Sequence, residues 1–261
     1  MHRFYVCPQD ISDRQVRLDQ EQSRHIDRVL RLGPGDSVSI FDGLGREYEI
    51  RLQGLHNGRI EGEIIRMLAH SAEPSLRLSL VQGIAKGDKM DFIMQKAVEL
   101  GVAAIYPFFS QHAVVKLDQE KAAKKQKRWQ AIAREACKQC RRNHIPSVHQ
   151  PGSLPLMLEI INGKPAIMLY ENETRHGLKE LLTEKRPSLL CEPELFLIIG
   201  PEGGFALSEV EMARSRGVMT AGLGPRILRT ETASLAALSI ILYELADLGA
   251  GEDNIDSHEV K

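Results

Sequence analysis

The segment "LFLIIGPEGGFALSEVEMA", residues 195–213, joins an apolar run to a glycine-rich turn and then to a helical pattern. A short apolar run bounded by glycine is typical of a strand that is buried on both faces of a parallel sheet. Glycine after such a strand allows a ligand to approach the backbone closely. Glu202, in the middle of the turn, would repel a phosphate at the start of the next helix. The segment therefore predicts an α/β sheet whose ligand is not a pyrophosphate.

Two other predicted strands are also followed by a segment that could contact a ligand. "AIMLYENE", residues 166–173, ends in polar residues, and "VMTAGLGPRILRTET", residues 218–232, passes through a second glycine-rich turn. One such turn alone is usually only a tight turn. Because ligands of open α/β sheets bind beyond the carboxyl ends of the strands, three such ends together favour a pocket. The patterns G-x-G-x-x-G and G-K-[ST] are missing. A nucleoside with a positive centre fits better, and S-adenosylmethionine has these features.

The composition restricts the class of protein. The chain has 261 residues and a net charge of −1, so only a local concentration of charge can indicate nucleic-acid binding. No apolar run approaches the length of a membrane span, and the N-terminus lacks a signal-peptide pattern. The four cysteines do not form a disulfide framework. We therefore expect a cytoplasmic protein without a membrane segment.

The Cys137-x-x-Cys140 pair resembles a metal or redox motif. Both cysteines lie on the apolar stripe of a predicted helix, and no second Cys or His pair at metal spacing accompanies them. We predict that both are core residues and that the protein has no metal site.

The hydrophobic pattern changes near residue 72. Residues 36–55 and 58–68 alternate apolar and polar positions between glycines, and one predicted helix, roughly residues 19–32, precedes them. This pattern predicts a small β-barrel or sandwich over residues 1–72, with a linker at residues 70–75. Strands alternate with helices in residues 73–248, which predicts a mainly parallel sheet covered on both faces. Residues 249–261 form an acidic tail that we expect to be mobile.

Two helix starts carry capping signals. Ser208 with Glu211 predicts a capping box, and Thr230 or Thr232 is predicted to cap the last helix. That helix is apolar nearly all round, so we expect it to be buried in the domain or against a partner subunit.

A basic segment occupies residues 116–142, with ten lysines and arginines against three acidic residues. Lys121, Lys124, Lys125 and Arg128 share one face of the predicted helix. This face is equally well interpreted as a solvated surface or as a surface that contacts phosphates.

Several motifs, taken together, resemble one known family. They are "KGDKMDFIMQKAVELGV", "EACKQCRRNHIP", "LIIGPEGGF" and "LGPRILRTETA", and "MHRFYV" and "HIDRVLRLGPGDSVSIFDG" add to them near the N-terminus. The resemblance is to the SPOUT-class methyltransferases that modify N3 of uracil 1498 in 16S rRNA. It implies a PUA-like β-barrel, then a SPOUT domain with a trefoil-knotted, mainly parallel sheet. It also implies a homodimer, S-adenosyl-L-methionine as cofactor and the small ribosomal subunit as partner.

The resemblance also carries site residues onto this sequence. The family's cofactor loops match Leu169, Gly200, Gly203, Leu223, Gly224 and Leu228, and we add their neighbours Tyr170, Pro201, Glu202, Ile227 and Thr232. Arg28, Arg31, Arg142 and the basic face of residues 121–128 are the predicted RNA contacts.

The implied chemistry assigns the remaining roles. Uracil N3 must lose a proton before it attacks a methyl group, and the resulting anion needs a cation beside it. Arg229 is the first choice for that cation and Lys86 the second; the base is either Glu171 or water. The uridine must be unpaired or flipped out.

The alternative functions are an RNA-binding module without catalysis and a nucleotide-dependent oxidoreductase on a Rossmann-type sheet.

Overall fold

The computed structural model describes residues 1–69, 72–111 and 119–249. Contacts divide the chain into two units, and each is described by itself. The first contains Met1–Glu73 and Arg134–Ile145, and the second contains Pro74–Ala133 and the described residues from Pro146 onward. The predicted division at residue 72 did not anticipate that Arg134–Ile145 groups with the first unit. The predicted tail lies outside the described residues, except for Gly249.

The first unit is a five-stranded sheet in the order β1-β3-β4-β5-β2. Every pairing is antiparallel except that of β1 with β3. Alternate side chains such as Ile40 and Ile50 form a core with Leu18 and Ile26, as the period-two pattern predicted. The elements are β1 Arg3–Tyr5, β2 Gln15–Arg17, α1 Gln20–Arg24 with a π-helical turn His25–Leu30, β3 Ser37–Phe41, β4 Glu47–His56 and β5 Arg59–Leu68.

The second unit has a seven-stranded sheet in the order β12-β10-β11-β6-β7-β8, with β9 also paired to β7. All of these pairings are parallel, which confirms the predicted α/β architecture. The elements are β6 Leu78–Gly83, α2 Lys89–Leu100, β7 Ala104–Phe109, α3 Gln119–Cys140, β8 Ser147–Val148, β9 Gly152–Ser153, α4 Leu154–Ile160, β10 Ala166–Leu169, α5 Leu178–Leu190, β11 Leu195–Ile199, α6 Leu207–Ser215, β12 Met219–Ala221 and α7 Thr230–Leu245. The last residues of α3, from Arg134 onward, belong to the first unit.

Strand β11 shows why the opening segment is apolar throughout. All five of its residues are buried. Phe196 and Ile198 pack in a cluster with Met157 of α4 and Val210 of α6, so the alternate residues of the strand face the other side of the sheet. Helices α2 and α7 pack against each other, and α7 contacts β6 and β11. No described helix combines the length and the apolar character that a membrane crossing requires.

A buried polar network joins the carboxyl ends of β6 and β11 to the start of α7. The Thr230 hydroxyl donates to the Gly200 carbonyl at 2.6 Å and accepts a hydrogen bond from Gln82 Nε2 at 3.0 Å. Ser234 donates its own hydroxyl to Gln82 Oε1 at 2.6 Å. All three side chains are buried, so each polar group has a partner in place of water.

Both capping predictions are wrong in detail. Arg229 is the N-cap of α7, and Thr230 is its first residue, whose hydroxyl serves the network instead. Helix α6 begins at Leu207, so Glu209 and not Glu211 lies at the third helical position. Glu209 accepts hydrogen bonds from the backbone N–H groups of Ala206 and Gln111, which holds the helix start.

We predict that Thr230→Val lowers the free energy of unfolding of the second unit by about 1–3 kcal/mol, because the buried Gln82 amide and Gly200 carbonyl lose a partner. Urea denaturation followed by fluorescence of Trp129, the single tryptophan, measures the change. Thr232→Val is the matched control, since Thr232 is exposed on the same helix and should change stability by less than about 0.5 kcal/mol. Equal effects of the two variants would contradict the role of the network.

Candidate functional site at the strand ends

The three strand ends singled out in the sequence line one cavity of about 910 Å³. Its walls are the segments after β10, β11 and β12, together with the first residues of α2 and α7. The lining residues are Lys89, Leu169, Tyr170, Glu171, Glu173, Thr174, Gly177, Ile199, Gly200, Pro201, Glu202, Gly203, Gly204, Phe205, Gly222, Leu223, Gly224, Pro225, Arg226, Ile227, Leu228, Arg229, Thr230 and Ala233.

Ten of the eleven predicted cofactor residues line this cavity. They are Leu169, Tyr170, Gly200, Pro201, Glu202, Gly203, Leu223, Gly224, Ile227 and Leu228. Thr232 does not line it: it is exposed, in the first turn of α7, whereas Thr230 and Ala233 of the same helix do line the cavity. At the start of α7, the threonine that lines the cavity is therefore Thr230 and not Thr232.

Two of the three predicted catalytic residues line the cavity, and one does not. Arg229 and Glu171 line the cavity, but Lys86 does not. Lys86 is exposed and contributes only its backbone N–H, which donates to Glu202 Oε1 at 3.1 Å. The lysine that does line the cavity is Lys89, which was not predicted from the sequence. Its position at the start of a helix that follows strand β6 was the available signal.

Lys89 lies between two carboxylates. Its Nζ atom is 3.3 Å from Glu202 Oε1 and 3.6 Å from Glu231 Oε2. Burial opposes ionisation of Glu202, but hydrogen bonds from backbone N–H groups and from Lys89 outweigh it, so the pKa of this carboxyl lies below its ordinary value. Glu202 therefore braces its own loop against the start of α2 as an anion.

The segment after β12 runs close to the segment after β10. The N–H of Gly222 donates to the His176 carbonyl, and the Gly222 carbonyl accepts from the N–H of Leu178. A Cβ atom on Gly222 would lie 2.5 Å from the Glu173 carbonyl oxygen, so only glycine fits there. A Cβ atom on Gly224 would meet nothing within 4 Å, so this backbone position, with φ of 89°, is open to an incoming ligand.

Three charged side chains of the cavity have no hydrogen-bond or ion-pair partner among the described residues. Arg226 and Arg229 are exposed in the loop before α7. Glu171 is exposed in the loop after β10, and its Oε1 atom would lie 2.5 Å from a Cβ atom on Gly204, which places the carboxylate beside the β11 turn. The residues that line the cavity thus include one acidic residue and two arginines that the described protein leaves without a partner.

Glu173 also lines the cavity, but its carboxylate is engaged by the protein. Its Oε2 atom accepts from the Thr220 hydroxyl at 2.8 Å and from Arg214 Nη2 at 2.7 Å. The hydrogen bond from Thr220, with further help from Arg214, holds the pKa of Glu173 below its ordinary value. Glu173 therefore ties the segment after β10 to β12 and α6.

The predicted RNA contacts on α3 are not equivalent. Lys121 and Lys124 are exposed, and Lys125 is half-buried with its ammonium group 5.5 Å from the centre of the Trp129 ring. Arg128 is exposed too, but its guanidinium group is paired with Asp91, with Nε 3.0 Å from Oδ2. A phosphate would have to compete with Asp91 for Arg128.

The prediction that Arg142 contacts RNA needs correction. Its residue exposure is 3%, and its Nε atom donates to Glu73 Oε2 at 3.0 Å. The sequence did not show this pairing because the two residues are 69 positions apart. Arg28 and Arg31, in contrast, are exposed in the first unit.

Both cysteines of the Cys-x-x-Cys pair were predicted to be core residues, but only Cys137 is buried, and Cys140 is half-buried. The hydrogen bond with Cys140 and burial raise the pKa of the Cys137 thiol, which keeps it protonated. No disulfide joins any of the four cysteines, all of which lie among the described residues. Among the described residues, no group of three His, Cys, Asp or Glu side chains is arranged to hold a metal ion.

Comparison with known proteins places these features in a family. The family model described as RNA methyltransferase domain matches residues 72–242, and that described as RNA methyltransferase PUA domain matches residues 18–65. Ribosomal RNA small subunit methyltransferase E of Bacillus subtilis is 36% identical over 94% of this chain and 97% of its own length. The chain belongs to the ribosomal RNA small subunit methyltransferase E family.

Solved structures of this family have the same fold. A methyltransferase E from Neisseria gonorrhoeae, bound to S-adenosyl methionine, matches with a TM-score of 0.83 and 37% identity over 95% of this chain and 99% of that one. A putative methyltransferase from Legionella pneumophila, in complex with the same cofactor, matches with a TM-score of 0.83 and 33% identity over 95% and 99%. The predicted fold class, a PUA domain followed by a SPOUT-class methyltransferase domain, is confirmed.

We predict that Glu173→Gln destabilises the second unit at neutral pH and that the difference from the unaltered protein shrinks as the pH falls. A carboxylate with a lowered pKa stabilises the fold above the ordinary glutamate value of 4.5 and loses that effect as it is protonated. Urea midpoints followed by Trp129 fluorescence at about pH 7 and about pH 3.5 measure both values.

Glu192→Gln is the control, because Glu192 is exposed and its replacement should leave both midpoints unchanged. A stability difference for Glu173→Gln that is the same at both pH values would show that the carboxylate charge has no part in it.

Proposed function

We propose that this protein transfers a methyl group from S-adenosyl-L-methionine to N3 of a uridine in 16S rRNA, the position that the family numbers 1498. The observation that carries the proposal is the cavity formed by three strand ends, two of them glycine-rich. It occurs in a chain whose relative of known structure, with 37% identity, is bound to S-adenosyl methionine.

The residues of the cavity fit this cofactor. Its volume of about 910 Å³ suits a ligand of that size. Leu169, Ile199 and Leu228 provide apolar walls, and the open backbone at Gly224 allows close approach. When bound, S-adenosylmethionine supplies a methyl group made electrophilic by the positive sulfur. Carboxylates on the cavity wall, such as that of Glu171, suit a positive ligand.

The remaining residues would act on the uracil base. Glu171 would take the N3 proton, because its carboxylate lines the cavity and has no partner among the described residues. Arg229 would stabilise the negative charge that then develops on the uracil oxygens, since Arg229 lines the same cavity. Both roles use side chains that have no hydrogen-bond or ion-pair partner among the described residues.

Basic side chains outside the cavity would hold the RNA backbone. Lys121, Lys124 and Lys125 on α3 are the proposed phosphate contacts in the second unit, and Arg28 and Arg31 are those of the first. Such contacts add affinity without reading sequence, so the choice of uridine would depend on the cavity and on the shape of the RNA.

The protein is proposed to act as a homodimer in the cytoplasm, where small ribosomal subunits are found. The outward face of α7 supports a dimer, because Ile240 and Tyr243, three positions apart on this helix, expose 37% and 66% of their surface. Apolar side chains grouped on one helix are typical of a subunit interface.

The two alternative functions are less well supported. A Rossmann-type oxidoreductase would need the dinucleotide pattern that this chain lacks, and the chain belongs to a methyltransferase family. An RNA-binding module without catalysis would not require a cavity with two glycine-rich walls.

We predict that Arg229→Ala lowers the rate of methylation by about 100-fold or more, because the uracil anion loses its cation. The measurement is transfer of tritium from labelled S-adenosylmethionine to small ribosomal subunits from cells without this protein, followed by mass mapping of the modified nucleotide. Arg77→Ala is the matched control, since Arg77 is exposed at the opposite, amino-terminal end of strand β6.

Sedimentation velocity on the same samples tests the dimer. An unaltered protein that sediments as a monomer would contradict the homodimer. Methylation by Arg229→Ala at more than about half the normal rate would contradict the role of Arg229, and no methylation by the unaltered protein would overturn the proposed function.

We predict that the double change Lys121→Gln and Lys124→Gln weakens RNA binding and lowers the slope of log affinity against log salt by about one to two units. Filter binding of 16S rRNA at several salt concentrations gives the slope. The change Lys179→Gln with Lys185→Gln removes the same charge from exposed positions of α5 and is the control. An unchanged slope in the first variant would show that α3 does not contact phosphates.

A further inference from the structure

Ile227 exposes 88% of its surface, more than any other large apolar residue among those that the structure describes. Single exposed apolar residues are common on protein surfaces and need no explanation by themselves. Ile227, however, lies in the wall of the cavity, between Leu223 and Thr230, where all neighbouring residues also line it. The exposure of a large apolar side chain in the wall of a binding site therefore needs a physical explanation.

The loop that carries Ile227 is anchored at both ends. Gly222 is held before it by hydrogen bonds with His176 and Leu178. Thr230 is held after it by the hydrogen bonds that join its hydroxyl to Gly200 and Gln82. Only seven residues separate these two anchors, and Pro225 further restricts the backbone. The fold therefore fixes both ends of the loop that exposes Ile227.

The residues around Ile227 have a definite charge pattern. Arg226 precedes it and Arg229 follows two positions later, and both line the cavity without a partner among the described residues. An apolar side chain between cations suits a nucleic acid strand, because the cations meet phosphates while the apolar group meets bases. The same pattern does not suit a purely apolar partner, which would leave both guanidinium groups without water or a counter-ion.

We propose that Ile227 is the wedge that keeps the target uridine out of its base stack. The isoleucine would occupy the gap that the flipped nucleotide leaves, as apolar side chains do between base steps in proteins that deform nucleic acids. The uracil could then enter the cavity while Arg226 and Arg229 hold the flanking strand. This inference rests on the proposed methylation of a uridine, and it replaces the cofactor contact predicted for Ile227 from the sequence. Ile227 becomes a positioning residue whose side chain contacts neither the cofactor nor the reacting atoms.

The test compares Ile227→Ala with the conservative variant Ile227→Met on small ribosomal subunits from cells without this protein. A wedge requires apolar bulk, so alanine should lower kcat/KM for the subunits about 10-fold or more, whereas methionine should retain most of it. Calorimetric titration with S-adenosylmethionine should give affinities within about two-fold of the unaltered protein for both variants. Leu207→Ala, at a residue that is 61% exposed on α6 outside the cavity wall, is the control and should behave normally.

A direct readout uses a 16S rRNA fragment with 2-aminopurine next to the methylated uridine. Its fluorescence should rise when the unaltered protein binds with cofactor, because the neighbouring base leaves the stack, and the rise should disappear with Ile227→Ala. The wedge is overturned if the alanine variant keeps a normal kcat/KM or a normal fluorescence rise. It is also overturned if cofactor affinity or dimer mass falls in parallel with activity, since Ile227 would then cover the cofactor or hold the partner subunit. Absence of methylation by the unaltered protein would instead reject the proposed function.

Discussion

The Thr230 hydroxyl is the contact on which the arrangement of the cavity depends. It lies between the Gly200 carbonyl, at the end of β11, and the Gln82 amide, at the end of β6. Because Thr230 is also the first residue of α7, the loop that carries Arg226, Ile227 and Arg229 ends at this point. The hydroxyl therefore sets the distance between two walls of the cavity, which no apolar contact could do with the same precision.

Close backbone packing supports this contact. A Cβ atom on Gly83 would lie 2.5 Å from the ring and nitrogen of Pro201, so the end of β6 and the β11 turn touch without any side chain between them. Gly222 makes a similar approach to Glu173. The glycines near the site thus have two separate roles. Some permit contact between protein segments, and Gly224 leaves space on the side of the ligand.

Local sequence patterns were sufficient to predict the two kinds of sheet, the strands β10, β11 and β12 and the three turns of the cavity, because burial and backbone conformation act over a few residues. They failed where a side chain finds a distant partner. Arg142 has the charge of an RNA contact, but Glu73 binds it in the interior. Lys89 lines the cavity and Lys86 does not, since the path of the chain after β6 decides which lysine faces the strand ends. The roles of Thr230 and Glu209 likewise depend on residues far along the chain.

The polar network has a consequence for the order in which the protein can fold during synthesis. Gln82 lies in the central strand β6, yet its partners Thr230 and Ser234 are 148 and 152 residues further along the chain. A nascent chain that has formed β6 and β7 would hold an amide that only the last helix can satisfy. Contacts of such high sequence separation delay folding. The methyltransferase domain should therefore reach its native packing only after α7 has left the ribosome. A chain truncated before α7 should remain incompletely folded and should continue to bind chaperones.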